Sequence, residues 1–301
     1  MGPKQVFMAF VVTGLVGGAA SARGATHDVV LTASAARWDA GGGRFVTAWT
    51  YNGSVPGPEI RVSKGDTVRV TLVNDLPEPT TIHWHGVPVP NGMDGVPGVS
   101  APVVPVGGRF TYEFPAPAPG TYWYHPHADA AGQIARGLYG LLIVEPDVGT
   151  AKSYDRDFSL VIGEFGAVTV AMGGGMSGGM SSGMGGMGSG NLLINGKTGP
   201  YVPGLRLERG EKVLFRFVNT GNMVHPMHLH GMSWTVTATD GYDLPAPYRK
   251  DTLPVNAGER YDALLEATNP GTWMLHCHNL QHVGEGASGM TGLTMKVVVA
   301  Q

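Results

Sequence analysis

The chain has 301 residues, of which 14% are charged, and its formal net charge at pH 7 is −3. That length suits one large or two ordinary domains, and the charge balance excludes the basic surface of a nucleic-acid-binding protein and the acidic tail of a solvating one. The 47 glycines and 22 prolines, with β-branched and aromatic runs between them, favour many short strands joined by turns.

The first 22 residues have the pattern of an export signal. Lys4 supplies a positive charge, residues 6–19 are apolar, and residues 20–22 form a small-residue cleavage site, so we expect the mature chain to start at Arg23. A membrane anchor is the alternative, which the three glycines in the apolar part disfavour. No other segment has the roughly 18 consecutive apolar residues of a membrane span, and we expect a periplasmic or secreted protein.

Two stretches of the chain match each other in register. Residues 65–74 (GDTVRVTLVN) resemble residues 210–219 (GEKVLFRFVN), and in each copy a His-x-His-Gly motif begins 18 residues after the first glycine. Residues 119–127 resemble residues 270–278 in the same way. A unit that occurs twice in a chain of this length predicts two domains of one design.

Each copy has the pattern of β-strands. Apolar and polar residues alternate along residues 67–73 and largely along residues 212–218, which is the period of half-buried strands. Residues 138–144 and 293–299 resemble a closing strand of each copy, and no long stretch has helical periodicity. We therefore expect an all-β fold of two Greek-key β-sandwich domains. The predicted domains are residues 23–150 and 151–301.

Residues 172–190 differ from the rest of the chain, because they are nearly all glycine, serine and methionine. Such a segment buries too little apolar surface to offset the entropy of ordering it, so we expect a mobile loop within the second domain. Its five methionines are Met172, Met176, Met180, Met184 and Met187.

Ten of the eleven histidines fall in four clusters. Each cluster contains two histidines separated by one residue, and residues i and i+2 of a strand share a face, so each pair projects two imidazoles side by side. Imidazole binds copper, zinc, iron and nickel. His27 stands apart, and we expect it to be solvated. The clusters are His83 and His85; His125 and His127; His225, His228 and His230; and His276, His278 and His282.

The single cysteine, Cys277, lies between two of these histidines. It has no partner for a disulfide within the chain, and strand geometry sends it to the face opposite His276 and His278. With His225 and His282 it would complete the trigonal His₂Cys set of a blue-copper electron-transfer site. The eight remaining histidines could then serve three further metal ions, as two, three and three.

Together, these motifs resemble the four copper motifs of multicopper oxidases. The resemblance covers essentially the whole mature chain and implies two cupredoxin domains that bind four coppers. Because Pro126 stands where the second copy has Cys277, the chain looks like the two-domain laccases with type 1 copper in the second domain only. The matching segments are residues 83–86 (HWHG), 124–127 (YHPH), 225–231 (HPMHLHG) and 276–282 (HCHNLQH).

The resemblance implies a role for each clustered histidine. Each domain would supply four ligands of a three-copper cluster, so neither domain could build the cluster alone. The implied ligands are His225, Cys277 and His282 for type 1 copper, His83 and His228 for type 2 copper, His85, His125 and His278 for one type 3 copper, and His127, His230 and His276 for the other.

The sequence departs from the family pattern near the last histidine. The axial methionine usually follows it by five residues, where this chain has Ala287; we expect Met290 to take that role, the alternative being an axial position without a protein ligand. Asp94 lies where relatives keep an acid that aids proton delivery to oxygen, and the alternative is an ordinary turn aspartate. Gln281 replaces an acid of some relatives, which leaves a second proton relay unsupported.

The resemblance implies a laccase-like oxidase that takes single electrons from a reducing substrate, passes them through Cys277 and reduces O₂ to water. Phenols, aromatic amines, cuprous ion and other reduced metals are the candidate substrates. Methionine thioethers suit Cu(I), so residues 172–190 either contact cuprous ion or are an incidental insertion. With two domains, the cluster would form where domain one of one subunit meets domain two of the next, and a closed head-to-tail ring predicts a homotrimer.

Two other functions compete with this interpretation. A copper nitrite reductase would need a type 1 ligand set in the first domain, where Pro126 lies. A non-enzymatic copper-binding electron-transfer protein would need only Cys277 with its two histidines and Met290, which leaves eight paired histidines without a role.

Overall fold

The computed structural model describes most of the chain. The predicted export signal (residues 1–22), the methionine-rich segment (residues 172–190) and Ala287 lie outside the described residues. Among the described residues there is no helix with both the length and the hydropathy of a bilayer span. The described residues are 24–147, 149–150, 152–166, 191–286 and 289–301.

The described chain is built almost entirely from strands, as predicted. The first ten are β1 Thr26–Asp39, β2 Phe45–Tyr51, β3 Ile60–Ser63, β4 Thr67–Asn74, β5 His83–His85, β6 Arg109–Pro115, β7 Gly120–His125, β8 Gly140–Glu145, β9 Arg156–Glu164 and β10 Leu192–Ile194. The others are β11 Leu205–Leu207, β12 Lys212–Asn219, β13 His225–Leu229, β14 Trp234–Thr239, β15 Tyr242–Lys250, β16 Thr252–Val255, β17 Arg260–Glu266, β18 Gly271–Cys277, β19 Val283–Gly286, β20 Gly289–Gly292 and β21 Thr294–Val299. The helical elements that lie wholly within the described residues are α1 Ala130–Ile134 and 3₁₀ turns at Asn91–Met93 and Leu280–His282.

The first sandwich consists of two four-stranded sheets, in the orders β2-β1-β4-β6 and β3-β8-β7-β5. Alternate residues of β4 are buried, which confirms the predicted half-buried strand. In β5 the middle residue, Trp84, is fully buried and its ring centroid lies 4.7 Å from that of Phe114 in the core. Because Trp84 faces inward, the histidines on either side of it face outward.

The second sandwich repeats this plan with sheets in the orders β10-β9-β12-β17-β14-β15 and β11-β21-β18-β13-β16. In both sandwiches the first strand runs parallel to the strand that carries the repeated motif, β1 with β4 and β9 with β12. The core encloses Phe215, Phe217 and Trp234, and Cys277 belongs to it. The prediction of an all-β chain with two sandwiches is confirmed.

Strand β12 is more buried than its sequence pattern indicated. Its second face, with Leu214, Arg216 and Val218, is also inaccessible to solvent. The reason is that this face packs against the first sandwich, where Val218 joins an apolar cluster with Trp123 and Tyr139. The expectation of a half-buried strand was therefore wrong for β12, because alternation within one strand carries no information about a neighbouring domain.

Polar contacts reinforce the interface between the sandwiches. The buried guanidinium of Arg216 donates to Asp157 Oδ2 (2.6 Å) and Asp262 Oδ2 (3.1 Å) in its own sandwich and to Thr121 Oγ1 (2.9 Å) in the first. Trp38 Nε1 donates to the carbonyl of Gly196 across the interface at 2.7 Å. These bonds satisfy polar groups that the interface removes from water.

Candidate metal centres

The structure brings Cys277, His225 and His282 together inside the second sandwich. His225 begins β13, Cys277 ends β18, and His282 closes the 3₁₀ turn that follows. Cys277 Sγ lies 3.9 Å from His225 Nδ1 and 3.5 Å from His282 Nδ1, and the two nitrogens are 3.0 Å apart. All three residues are buried. Two imidazoles and a thiol that converge out of water form a soft three-ligand site.

The charges at this site suit a cation. Burial raises the pKa of the Cys277 thiol to about 11, so the thiol is protonated in the metal-free protein and a metal ion that binds the sulfur must displace that proton. Burial and the neighbouring His225 lower the pKa of His282, which keeps that imidazole neutral and able to bind metal. Burial tends to raise the pKa of Glu164, but hydrogen bonds from His225 and from backbone N–H groups outweigh it and lower that pKa.

Four histidines form a first quartet on the surface of the first sandwich: His83, His85, His125 and His127. The ring centroid of His83 lies 5.8, 5.2 and 5.5 Å from those of His85, His125 and His127. Within the quartet, His85 Nδ1 and His125 Nε2 are 3.3 Å apart. A cavity of about 350 Å³ lies beside His85 and is lined by Arg260 and Tyr242 of the second sandwich.

A second quartet lies on the second sandwich: His228, His230, His276 and His278. The ring centroid of His228 lies 5.2, 5.8 and 5.6 Å from those of His230, His276 and His278. Again one pair is close, with His230 Nε2 and His276 Nε2 3.1 Å apart. A cavity of about 680 Å³ opens beside His228. Each quartet thus holds one pair of nitrogens close enough to share a metal ion.

Backbone carbonyls orient the same histidines in both quartets. In each of four histidines Nδ1 lies 2.9 Å from a carbonyl oxygen, so the Nδ1–H donates to it and Nε2 is left as the free lone pair. Metal-binding histidines commonly fix their second nitrogen in this way. The pairs are His83 with Asp94, His228 with Asp251, His125 with Pro126 and His276 with Cys277.

Two histidines of the first quartet, His85 and His125, are held in the neutral form. Burial lowers the pKa of His125 to about 3. Burial, together with the positive charges of Arg260 and His83, lowers the pKa of His85 to about 4. Burial also lowers the pKa of His276 in the second quartet. Neutral imidazoles at physiological pH can bind a metal without first losing a proton.

The two quartets do not touch within the chain. Among the residues that the structure describes, every ring contact and short nitrogen–nitrogen distance of a quartet histidine to another histidine stays within its own quartet. Within one chain these eight histidines therefore form two separate groups of four.

Other residues singled out in the sequence have different surroundings. Asp94 Oδ1 lies 3.2 Å from His83 Nδ1, and the Asp94 side chain is 33% exposed. Met290 lies in β20 and lines a cavity of about 220 Å³ with Met274 and Met295, whereas the buried cysteine and its two histidines do not line it. His27 was expected to be solvated, but its Nε2 lies 2.7 Å from Asp66 Oδ2.

Three residues at these sites were not predicted from the sequence. Glu164 lies against His225, Asp251 provides the carbonyl for His228, and Arg260 lies beside His85. Asp251 and Asp94 play the same part in the two copies, but the spacing from the His-x-His motif differs between copies. Strand pairing alone brings Glu164 into place, so no local motif marks it.

Several known proteins are similar to this chain in sequence. Family models described as multicopper oxidase match residues 32–148 and 176–294. The chain is 33% identical over 270 residues to the multicopper oxidase MmcO of Mycobacterium tuberculosis, covering 81% of this chain and 52% of that protein. It is 31% identical over 274 residues to copper resistance protein A of Pseudomonas syringae pv. tomato, covering 75% of this chain and 44% of that protein. The chain thus spans about half the length of the curated relatives it matches.

Solved structures match over more of their length. The blue copper oxidase from Nitrosomonas europaea aligns with a TM-score of 0.79 at 31% identity, over 91% of this chain and 86% of that one. A multicopper oxidase called mgLAC aligns with a TM-score of 0.79 at 34% identity, over the same shares of the two chains.

Proposed function

Because this chain belongs to the multicopper oxidase family, we propose that it is a laccase-like oxidase. It would couple the one-electron oxidation of phenolic, aromatic or reduced-metal substrates, cuprous ion included, to the four-electron reduction of O₂ to water. The observation that carries the proposal is the buried convergence of Cys277 with His225 and His282. The two histidines that flank Cys277 in the chain, His276 and His278, belong to the second quartet instead.

The residues present fit copper. A His₂Cys set is typical of a blue site, and the two close nitrogen pairs, His85 with His125 and His230 with His276, join histidines that the family pattern gives to the same type 3 copper. The ligand sets are those inferred from the resemblance, with Met290 as the axial candidate in the hairpin β19–β20 that follows His282. Copper held there would accept single electrons from the reducing substrate and deliver four of them to dioxygen.

The protein's own residues prepare these sites. The sandwich core keeps water away from Cys277. One peptide bond joins Cys277 to His276 and another joins it to His278, which is the shortest covalent connection that a chain can provide between two sites. Asp94 would take protons from solvent at its carboxylate and present them beside the first quartet, which its one-third exposure and its 3.2 Å distance from His83 Nδ1 support.

We propose that the protein acts as a homotrimer, since neither quartet would complete the cluster alone. The first quartet of one subunit would face the second quartet of the next, and a head-to-tail contact that closes forms a ring. The His85–His125 pair would then gain His278 of the neighbouring copy, and the His230–His276 pair would gain His127. The apparent export signal supports a periplasmic or secreted location, where copper and oxygen are accessible.

Metal content and oxygen uptake test the oxidase. We expect about four coppers per chain, since the ligands make one His₂Cys site and three histidine sites, an intense blue colour, and oxygen consumption with a phenol. Cys277→Ser should lose the colour and the turnover and keep the copper of the quartets. One or two coppers per chain, or nitrite reduction without oxygen uptake, would favour one of the competing functions.

Deleting residues 172–190 should lower Cu(I) oxidation and spare phenol oxidation if that segment serves cuprous ion.

Complementation between chains tests the shared cluster. His125→Ala breaks the first quartet and His276→Ala breaks the second, so each variant alone should be inactive. In mixed trimers the intact first quartet of one variant meets the intact second quartet of the other, and activity should return. If mixed trimers form and stay inactive, the cluster does not lie between subunits.

A further inference from the structure

Glu164 is a buried carboxylate that contacts a candidate copper ligand. It ends β9, and its Oε1 lies 3.1 Å from His225 Nε2, the nitrogen that faces away from Cys277. The side chains of Glu164 and His225 are 2% and 0% exposed. The Nε2–H of His225 can therefore donate to a carboxylate that is out of water, while Nδ1 stays directed at the thiol.

The surroundings hold this carboxylate in place. The backbone N–H of Met223 donates to Glu164 Oε1 at 2.7 Å. Gly221 passes so close to the carboxylate that a Cβ at that position would overlap it. Glu164 Oε2 is buried and has no hydrogen-bond partner among the described residues. In the described part of the chain, His225 is thus the one ionisable side chain that bonds this group.

The repeat within the chain provides an internal comparison. Ile162 pairs with Asn219 as Ala33 pairs with Asn74, so Glu164 corresponds to the exposed Ala35 of the first sandwich. The first sandwich also has Thr80 where the second has His225, and Pro126 where it has Cys277. The carboxylate is therefore present in the copy that has the thiol site and absent from the copy that lacks it.

We propose that Glu164 is a positioning residue for the type 1 copper, which it acts on through His225; the proposal rests on the oxidase function above. A carboxylate that accepts the Nε2–H fixes the tautomer and ring orientation and makes Nδ1 a stronger donor. Stronger electron donation from Nδ1 and the buried negative charge of Glu164 would both stabilise Cu(II) relative to Cu(I). Glu164 therefore lowers the reduction potential of the blue site.

The test is an anaerobic redox titration of the blue absorption of copper-loaded protein. Glu164→Gln keeps the size of the side chain and removes its charge, and we expect the potential to rise by about 60 mV, which is tenfold in a one-electron equilibrium. Asp66→Asn is the matched control, since Asp66 also bonds a histidine (His27 Nε2, 2.7 Å) and a backbone N–H but lies in the first sandwich. That control should leave the potential unchanged.

An unchanged potential in folded, blue Glu164→Gln would overturn the proposal, and so would an equal rise in the Asp66→Asn control. If the glutamine variant does not fold, Glu164→Asp replaces it, because the shorter side chain withdraws the carboxylate from His225 and should raise the potential in the same direction; no rise there overturns the proposal as well. Wild-type protein that loads copper without blue colour would instead refute the oxidase function.

Discussion

Replacing Arg216 with methionine tests how the two sandwiches are held together. The Arg216 side chain is 4% exposed, and its guanidinium bonds Asp157, Asp262 and, across the interface, Thr121. Methionine keeps much of the apolar stem and leaves Asp262 buried without its cation. Removing one partner of a buried ion pair costs about 3–5 kcal/mol, which is a large share of the ~5–15 kcal/mol that stabilises a typical protein.

The size of this loss should depend on pH. Burial raises the pKa of Asp262, and Arg216 opposes that rise, so without Arg216 the pKa of Asp262 in the folded protein moves further up. Above the ordinary pKa of an aspartate, the folded variant then holds more protons than its unfolded chain, and its stability falls as the pH rises. We expect the difference from wild type to be smallest in acid and largest near neutral pH.

Denaturant unfolding of the metal-free proteins measures this difference. Arg69→Met is the control, because Arg69 also pairs with two carboxylates, Asp28 and Glu113, but is 40% exposed. Solvent screens exposed ion pairs, so that variant should lose little stability. Equal small losses for the two variants, at every pH, would refute the view that the buried ion pair of Arg216 stabilises the protein.

Three further outcomes are expected. Trp84→Ala should cost about 3–5 kcal/mol in denaturant unfolding and reduce copper retention by the first quartet, since Trp84 anchors β5 in the core; copper retention equal to wild type would contradict this role. The melting temperature of the metal-free protein should fall as the pH drops below about 6.5, because the lowered pKa values of His125 and His85 make the folded state resist protonation; a flat profile would contradict it. Asp94→Asn should lower kcat for oxygen reduction by about 10²–10⁴-fold, the usual contribution of a proton-transfer group, at unchanged copper content, and an unchanged kcat would assign Asp94 to the turn alone.

The sequence predicted the strands and the direction in which each histidine pair faces, because both depend on local alternation. In His83-Trp84-His85 the buried tryptophan decides which way the histidines face. The same alternation separates Cys277 from the histidines beside it, so one strand contributes to two sites. These features follow from the period of a strand and required no knowledge of distant contacts.

Other features depend on contacts between distant segments. The parallel pairing of β9 with β12 sets Glu164 beside the connection that leads from β12 to His225, where Met223 N–H bonds it. Residues 61 apart in the chain then meet at one hydrogen bond. The second face of β12, with Arg216, is buried because a separate sandwich covers it. Alternation within a strand cannot report either fact, which is why the sequence indicated a solvent-facing side for β12 and gave no role to Glu164.

The carbonyl clamps on His125 and His276 have a consequence for how such a chain can diverge after duplication. Each imidazole is oriented by the main chain of the next residue, Pro126 in one copy and Cys277 in the other, rather than by a side chain. The amino acid between the paired histidines can therefore be exchanged while its carbonyl still orients the histidine before it. One substitution at that point can add or remove a thiol and leave the orientation of the preceding imidazole intact.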